Sequence, residues 1–218
     1  MIKPETLGFL TEIVENNNRE WFALNKDRYE TAKVDVILFI EEIIPVLAAS
    51  DPEFPLEAQA KKCLMRIYRD IRFSKNKNPY KNNYGISFNA KGGKGPEYYL
   101  HLQPGNSFFA VGYWMPEAAD LKNIREEIDY NTSEFLDIIN AESFTSIFSI
   151  SREDSLKKAP KGYDPGHPQI DLLKLKSYLA ICPLKDSELF KPTILNHLKK
   201  AFESVYPFAQ FLKKAVVQ

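Results

Sequence analysis

Cysteine is scarce. Cys63 and Cys182 are the only two in 218 residues, which excludes a disulfide framework and a four-thiolate metal site. The three histidines, His101, His167 and His197, are widely scattered. No G-x-S-x-G, H-E-x-x-H or C-x-x-C spacing occurs, so the hydrolase, zinc-protease and thiol-redox signatures are all missing. Net charge is also absent, with 29 basic against 29 acidic side chains. Together with 44% hydrophobic residues, that balance excludes a disordered chain. The longest apolar run, around Val36 to Ile44, is broken by Glu41 and Glu42, far short of the roughly 20 residues a membrane span needs. The first residues, Met1-Ile2-Lys3-Pro4-Glu5, lack the apolar core of a secretory signal. The expectation is a cytoplasmic protein with no membrane partner, long enough to bury one sizeable core in a single domain over 1–218.

The charge that is present is unevenly placed. Residues 1–60 hold five basic side chains against twelve acidic ones, whereas residues 61–94 hold ten basic ones and Asp70 alone. A segment carrying +9 in 34 residues repels itself unless acids of the same chain, or an anionic ligand, lie against it.

Leu7, Leu10, Ile13 and Val14 recur at helical spacing and stop at Asn16-Asn17-Asn18, which also offers a new N-cap. A second helix is expected from Arg19 with Trp21, Phe22 and Tyr29 inward. A third is expected along Val34, Ile37, Ile40 or Glu41, Ile44 and Leu47, with Val36, Phe39 and Ile43 widening the stripe and a kink at Pro45. The middle of the chain alternates at 84–88 and 97–103, turns at Pro104-Gly105-Asn106-Ser107, and alternates again from Phe108 to Met115. In 97–103, Tyr98, Leu100 and Leu102 share one face and Tyr99, His101 and Gln103 the other, more polar one. Helices are expected with Pro116 as first residue, from Thr132 or Ser133, over 172–176, and over 192–205, with Pro207 separating the last from a closing helix. Residues 177–182 read as a strand, and 159–168, with three prolines and two glycines, as a rigid irregular loop. Helices, then strands, then helices predict an α+β fold: a mainly antiparallel sheet packed with flanking helices.

The cationic stretch interleaves Arg66, Arg69, Arg72, Lys75, Lys77 and Lys81 with Tyr68, Phe73 and Tyr80. Guanidinium suits phosphate and carboxylate because its planar fork donates two parallel hydrogen bonds. Read as a strand, the stretch puts Arg66, Tyr68, Asp70 and Arg72 on one face, where Asp70 can hold a guanidinium, and sends Arg69 to the other. Tyr99 and His101 are the expected facing wall, with His101 and Asp70 as candidate acid–base groups. Lys161 and His167 are candidate ligand-binding residues on the proline-rich loop. Lys91-Gly-Gly-Lys-Gly95 lacks phosphate-loop spacing and reads as a hairpin tip. Asp164, His167 and Asp171 lie close in sequence, but a loop histidine beside prolines is expected to be a structural hydrogen-bonder, and no metal is expected.

Three motifs, Asn16-Asn-Asn-Arg-Glu-Trp-Phe22, the run from Arg66 to Lys81, and Ala159-Pro-Lys-Gly-Tyr163, resemble a bacterial and fungal family of conserved hypothetical proteins classed as a domain of unknown function. The resemblance spans about Leu7 to Phe211 and implies an α+β domain; it implies no cofactor or reaction. The residues themselves favour binding of an anionic small molecule through 66–81. A nucleic-acid module using the same basic and aromatic side chains, and a non-enzymatic structural or partner-binding protein, stay open as alternatives.

Overall fold

The computed structural model describes residues 1–88 and 95–216. The chain runs through ten helices and five strands among these residues: α1 (Pro4–Glu15), α2 (Arg19–Leu24), α3 (Lys26–Ser50), α4 (Ala60–Cys63), β1 (Tyr84–Ser87), β2 (Glu97–Leu102), β3 (Ser107–Tyr113), α5 (Ala118–Tyr130), α6 (Thr132–Asn140), α7 (Glu142–Thr145), β4 (Ser149–Ile150), α8 (Ile170–Leu173), β5 (Tyr178–Leu184), α9 (Asp186–Leu189) and α10 (Ile194–Val216). The strands form one antiparallel sheet in the order β1-β2-β3-β5-β4, flanked by helices, as the α+β expectation requires. By their contacts the residues group into two compact units. Of the described residues, one unit comprises 1–88, 99–109 and 183–202; the other comprises 95–98, 110–182 and 203–216.

In the first unit, α1 stops where the asparagines predict, and the Asn18 side chain caps α2 by accepting from Trp21 N at 2.8 Å. The expected second helix is shorter than its pattern. It ends at Asn25, whose side chain donates to Trp21 O, so Tyr29 belongs to α3 while its ring still meets Phe22 at 5.1 Å. The buried stripe of α3 is Ala32, Val36, Phe39, Ile40, Ile43, Ile44 and Leu47, so the widening residues carry the core face, while Val34 of the expected stripe faces solvent with Leu38. Asp35 joins the buried face: its carboxylate lies at the start of α1, accepting from Lys3 N at 2.9 Å and Thr6 Oγ1 at 2.6 Å. Such an acceptor answers the free N–H groups and positive end of α1, which has no side-chain cap of its own.

In the second unit, Phe135 and Phe144 from α6 and α7 pack on Phe208, and Phe135 also packs on Phe211. Arg125 of α5 donates to the carbonyls of Leu173 and Leu175, answering the C-terminal end of α8. Several expected boundaries move here. The helix after Pro116 starts at Ala118, and the helix expected over 172–176 occupies Ile170–Leu173.

Neither internal proline ends its helix: α3 runs through Pro45 and α10 through Pro207. The break expected at Pro207 is absent because the apolar phase continues across it, with Leu198, Phe202, Val205, Phe208, Phe211 and Leu212 all buried. Each buried apolar side chain contributes about 1.5–3 kcal/mol, so several of them outweigh the roughly 3 kcal/mol cost of one helical proline.

Candidate functional site

The cationic stretch is not a strand. It forms a long loop between α4 and β1, joined across its base by Met65 N to Gly85 O, Lys81 N to Ile67 O and Arg69 N to Pro79 O, all 2.8–2.9 Å. Only isolated bridges, Leu64 with Ile86 and Tyr68 with Tyr80, pair its two limbs. A regular ladder fails because Pro79 has no N–H to give and because the tip is built of side-chain-to-backbone turns. Asp70 Oδ1 accepts from Arg72 N, and Asn76 Oδ1 accepts from Asn78 N.

The first and second sequence motifs meet at the root of this loop. The Asn17 carboxamide donates to Tyr80 O and accepts from Tyr80 N, both at 3.0 Å, pairing with the backbone as another strand would. Phe22 stacks on the Tyr80 ring, centroids 4.0 Å apart and 11° from parallel. Tyr68 closes the cluster, 5.4 Å from Tyr80 and 6.1 Å from Phe22.

The cations divide by role. Arg69 donates to Asn78 O and reaches Ser74 Oγ. It lines a 320 Å³ cavity with Asn17, Asn78, Tyr80 and Asn82. Lys77 donates to Ile71 O. Arg69 and Lys77 therefore brace the loop from within. Asp70 holds Arg72 in a two-pronged pair, Nε to Oδ1 at 3.0 Å and Nη2 to Oδ2 at 2.7 Å, the guanidinium-orienting role expected of it. That pair lowers the Asp70 pKa and raises that of Arg72. The side chains of Arg66, Lys75 and Lys81 make no hydrogen bond or ion pair among the described residues, although the Arg66 charge also helps to lower the Asp70 pKa.

Lys81 starts an alternation that runs into β1. Tyr84, Ile86 and Phe88 are buried, and Lys81, Asn83 and Gly85 take the other face. Register places Gly85 opposite His101 and Ser87 opposite Tyr99, so these residues share a face with the polar side of β2. Tyr99 Oη lies 3.0 Å from His101 Nδ1, Asn83 Nδ2 lies 3.4 Å from the same nitrogen, and His101 Nε2 lies 2.9 Å from Gln103 Oε1. The donors at Nδ1 and the acceptor at Nε2 select the neutral tautomer protonated on Nε2. Phe108 stacks on the imidazole at 4.7 Å. Burial, and then the Lys81 charge, lower the His101 pKa against the opposing hydrogen bond to Gln103. Both His101 nitrogens are thus engaged by neighbouring side chains. Lys81 is itself half-buried, and its pKa is lowered by burial and then by the Arg66 charge.

Gly85 makes room for this arrangement. A Cβ there would come within 2.8 Å of Tyr99 Oη and 3.0 Å of Met65 Sδ. Met65 is exposed and can move aside, so Gly85→Ala is expected to displace the Tyr99 hydroxyl and cost about 1 kcal/mol. A changed His101 Nδ1 nitrogen chemical shift by NMR checks this; an unchanged shift rejects it. The alternation of 97–103 points to Tyr99 and His101, whereas nothing in it points to Asn83. Extending the period of two back from Tyr84 to Lys81 is the signal that finds that residue.

The other candidates lie in the second unit. His167 Nε2 contacts Asp129 Oδ1 at 2.9 Å, and His167 Nδ1 accepts from Gln169 N at 3.0 Å, so both nitrogens are engaged in fixing the proline-rich loop. Lys161 is exposed beside Gly162, which has φ +95°. Asp164 accepts from Gly166 N and Asp171 lies 3.8 Å from Lys174; no group of three metal-ligating side chains occurs among the described residues. The expected hairpin tip at Lys91–Lys94 lies outside the described residues. No helix among the described residues is long and apolar enough to cross a membrane.

Residues 5–211 match a family model described as a conserved hypothetical protein, DUF2461, and the resemblance carried by the three motifs is borne out. No curated protein matches the chain. No solved structure matches it.

Proposed function

We propose that this protein, which belongs to the conserved hypothetical protein family DUF2461, binds a phosphate- or carboxylate-bearing ligand beside the polar face of β1 and β2. Arg66 and Lys81 supply the charge, and Asn83, Tyr99 and His101 form a neutral, hydrogen-bonding wall. Arg69 and Lys77 act as internal braces of the loop. The observation that carries the reading is Lys81: half-buried, its pKa lowered by burial and then by the neighbouring Arg66 charge, and its side chain without an acidic partner among the described residues. Two like charges held together are unfavourable until a counter-charge arrives. A bound anion relieves that repulsion, and the already neutral His101 wall needs no change of protonation to receive it.

Titration calorimetry with inorganic pyrophosphate tests the reading. Charge-assisted hydrogen bonds contribute about 1.5–3 kcal/mol, so Arg66→Gln and Lys81→Gln are each expected to weaken binding about tenfold or more. Lys122→Gln, a solvent-exposed side chain paired along α5 with Glu126, is expected to change nothing. Wild-type affinity in both cationic variants rejects the site.

The pH dependence has a definite sign. Lys81 must be protonated to bind an anion, and its free-state pKa lies below the ordinary 10.5. Bound anion raises that pKa, so affinity is full below the free-state value and falls as pH rises through it. Sulfate, whose charge is constant over this range, is the suitable ligand for the measurement. A decline that disappears in Lys81→Gln identifies the group; an identical decline in that variant assigns it elsewhere.

A further inference from the structure

We infer that the tip of the cationic loop is a stacking platform for single-stranded nucleic acid, with Phe73 as the ring on which a base lies; the inference rests on the anion-binding reading of the same segment. Phe73 is 96% exposed, which is unusual for a ring that contributes nothing to the core. It is held in place there: Arg72 lies 5.9 Å from its ring centroid, Asp70 grips Arg72 at both ends of its carboxylate, and Arg69 and Lys77 tie the limbs together. A loop braced in this way loses little conformational freedom on binding.

The chemistry around the ring selects the partner. Arg72, Lys75 and Lys77 are exposed cations of the tip segment, and Tyr68, 52% exposed, offers a second ring on the same loop. Cations with interspersed aromatic faces suit a polymer that alternates phosphates with flat bases. A duplex hides its base faces and leaves only phosphates to contact. A bilayer needs more buried apolar area than one phenylalanine provides.

Fluorescence anisotropy with labelled oligothymidylate, an equal-length duplex and fluorescent poly-glutamate tests this, alongside flotation with phosphatidylserine vesicles. The expected result is preferential binding of the single strand, weakened about tenfold by Phe73→Ala and comparably by Phe73→Leu, because stacking needs the ring. The salt slope should stay near −2 in both, as roughly three phosphates are neutralised, and should shrink in Lys75→Gln. Phe73 is solvent-exposed, so neither variant threatens folding. Four outcomes overturn the platform: no strand binding at low salt although pyrophosphate binds, equal binding of poly-glutamate, indifference to Phe73→Ala, or Phe73-dependent vesicle binding without strand binding. The first of these leaves the anion site intact, whereas loss of both pyrophosphate and strand binding removes the two together.

Discussion

Gly112→Ala is expected to prevent stable folding. Gly112 lies in β3 with φ +141°, a region that side-chain-bearing residues rarely enter. A Cβ there would sit 1.9 Å from Tyr178 O and 2.9 Å from Tyr178 C. Both obstacles are backbone atoms of β5, so no rotamer change relieves the clash; β3 and β5, neighbours in the sheet, would have to part. Tyr178 cannot yield easily either, since it is fully buried and donates its hydroxyl to Leu172 O at 3.1 Å. The loss should exceed about 4 kcal/mol, a large share of the roughly 5–15 kcal/mol that holds a typical domain together. Urea denaturation, or absence of soluble protein, checks it. Gly8→Ala should act in the opposite direction: it lies within α1, and a Cβ added there would meet nothing within 4 Å. Removing a helical glycine gains about 0.5–1 kcal/mol. A Gly112→Ala protein as stable as the parent would contradict the sheet packing described above.

The second large effect is expected at Phe22. Its ring is buried between Phe9 of α1, Tyr29 of α3 and Tyr80 of the cationic loop. Truncating a buried phenylalanine costs about 3–5 kcal/mol, and here the cavity would open beneath Tyr80, the anchor of the loop root. Phe22→Ala should therefore lower global stability and, beyond that, loosen residues 66–81. Hydrogen exchange at Arg69 and Lys81, whose amides donate to Pro79 O and Ile67 O, should accelerate more than the global loss accounts for. Phe22→Leu should recover most of the stability but less of the loop protection, because it fills volume without stacking. Equal acceleration at all amides would show that Phe22 serves the core alone.

Period and punctuation make much of the fold legible. The asparagine stop before α2, the polar and apolar faces of β2, the Pro104–Ser107 turn and the concentration of positive charge all follow from local pattern, because each depends on residues a few positions apart. The helix phases depart from that pattern where a distant group intervenes. Nothing in the local pattern marks Asp35 as buried until Lys3 N and Thr6 Oγ1 are seen against it. Pro207 reads as a break until the apolar phase is seen to continue across it.

The candidate site divides the same way. Arg66, Lys81, Tyr99 and His101 stand out in the sequence by type and spacing. Their division of labour does not, because it depends on pairings across the loop and across the sheet. Arg69 and Lys77 are tied to the loop's own backbone because Asn78 O and Ile71 O accept from them. His101 is neutral because Tyr99 crosses a glycine on the neighbouring strand to reach it, and because Lys81 and burial disfavour its charge. Which charges and rings this protein carries, and on which local segments, follows from the order of its residues alone. Which of those charges are satisfied depends on the folded chain, since hydrogen-bond partners 9, 16 or 63 residues away leave no trace in local periodicity.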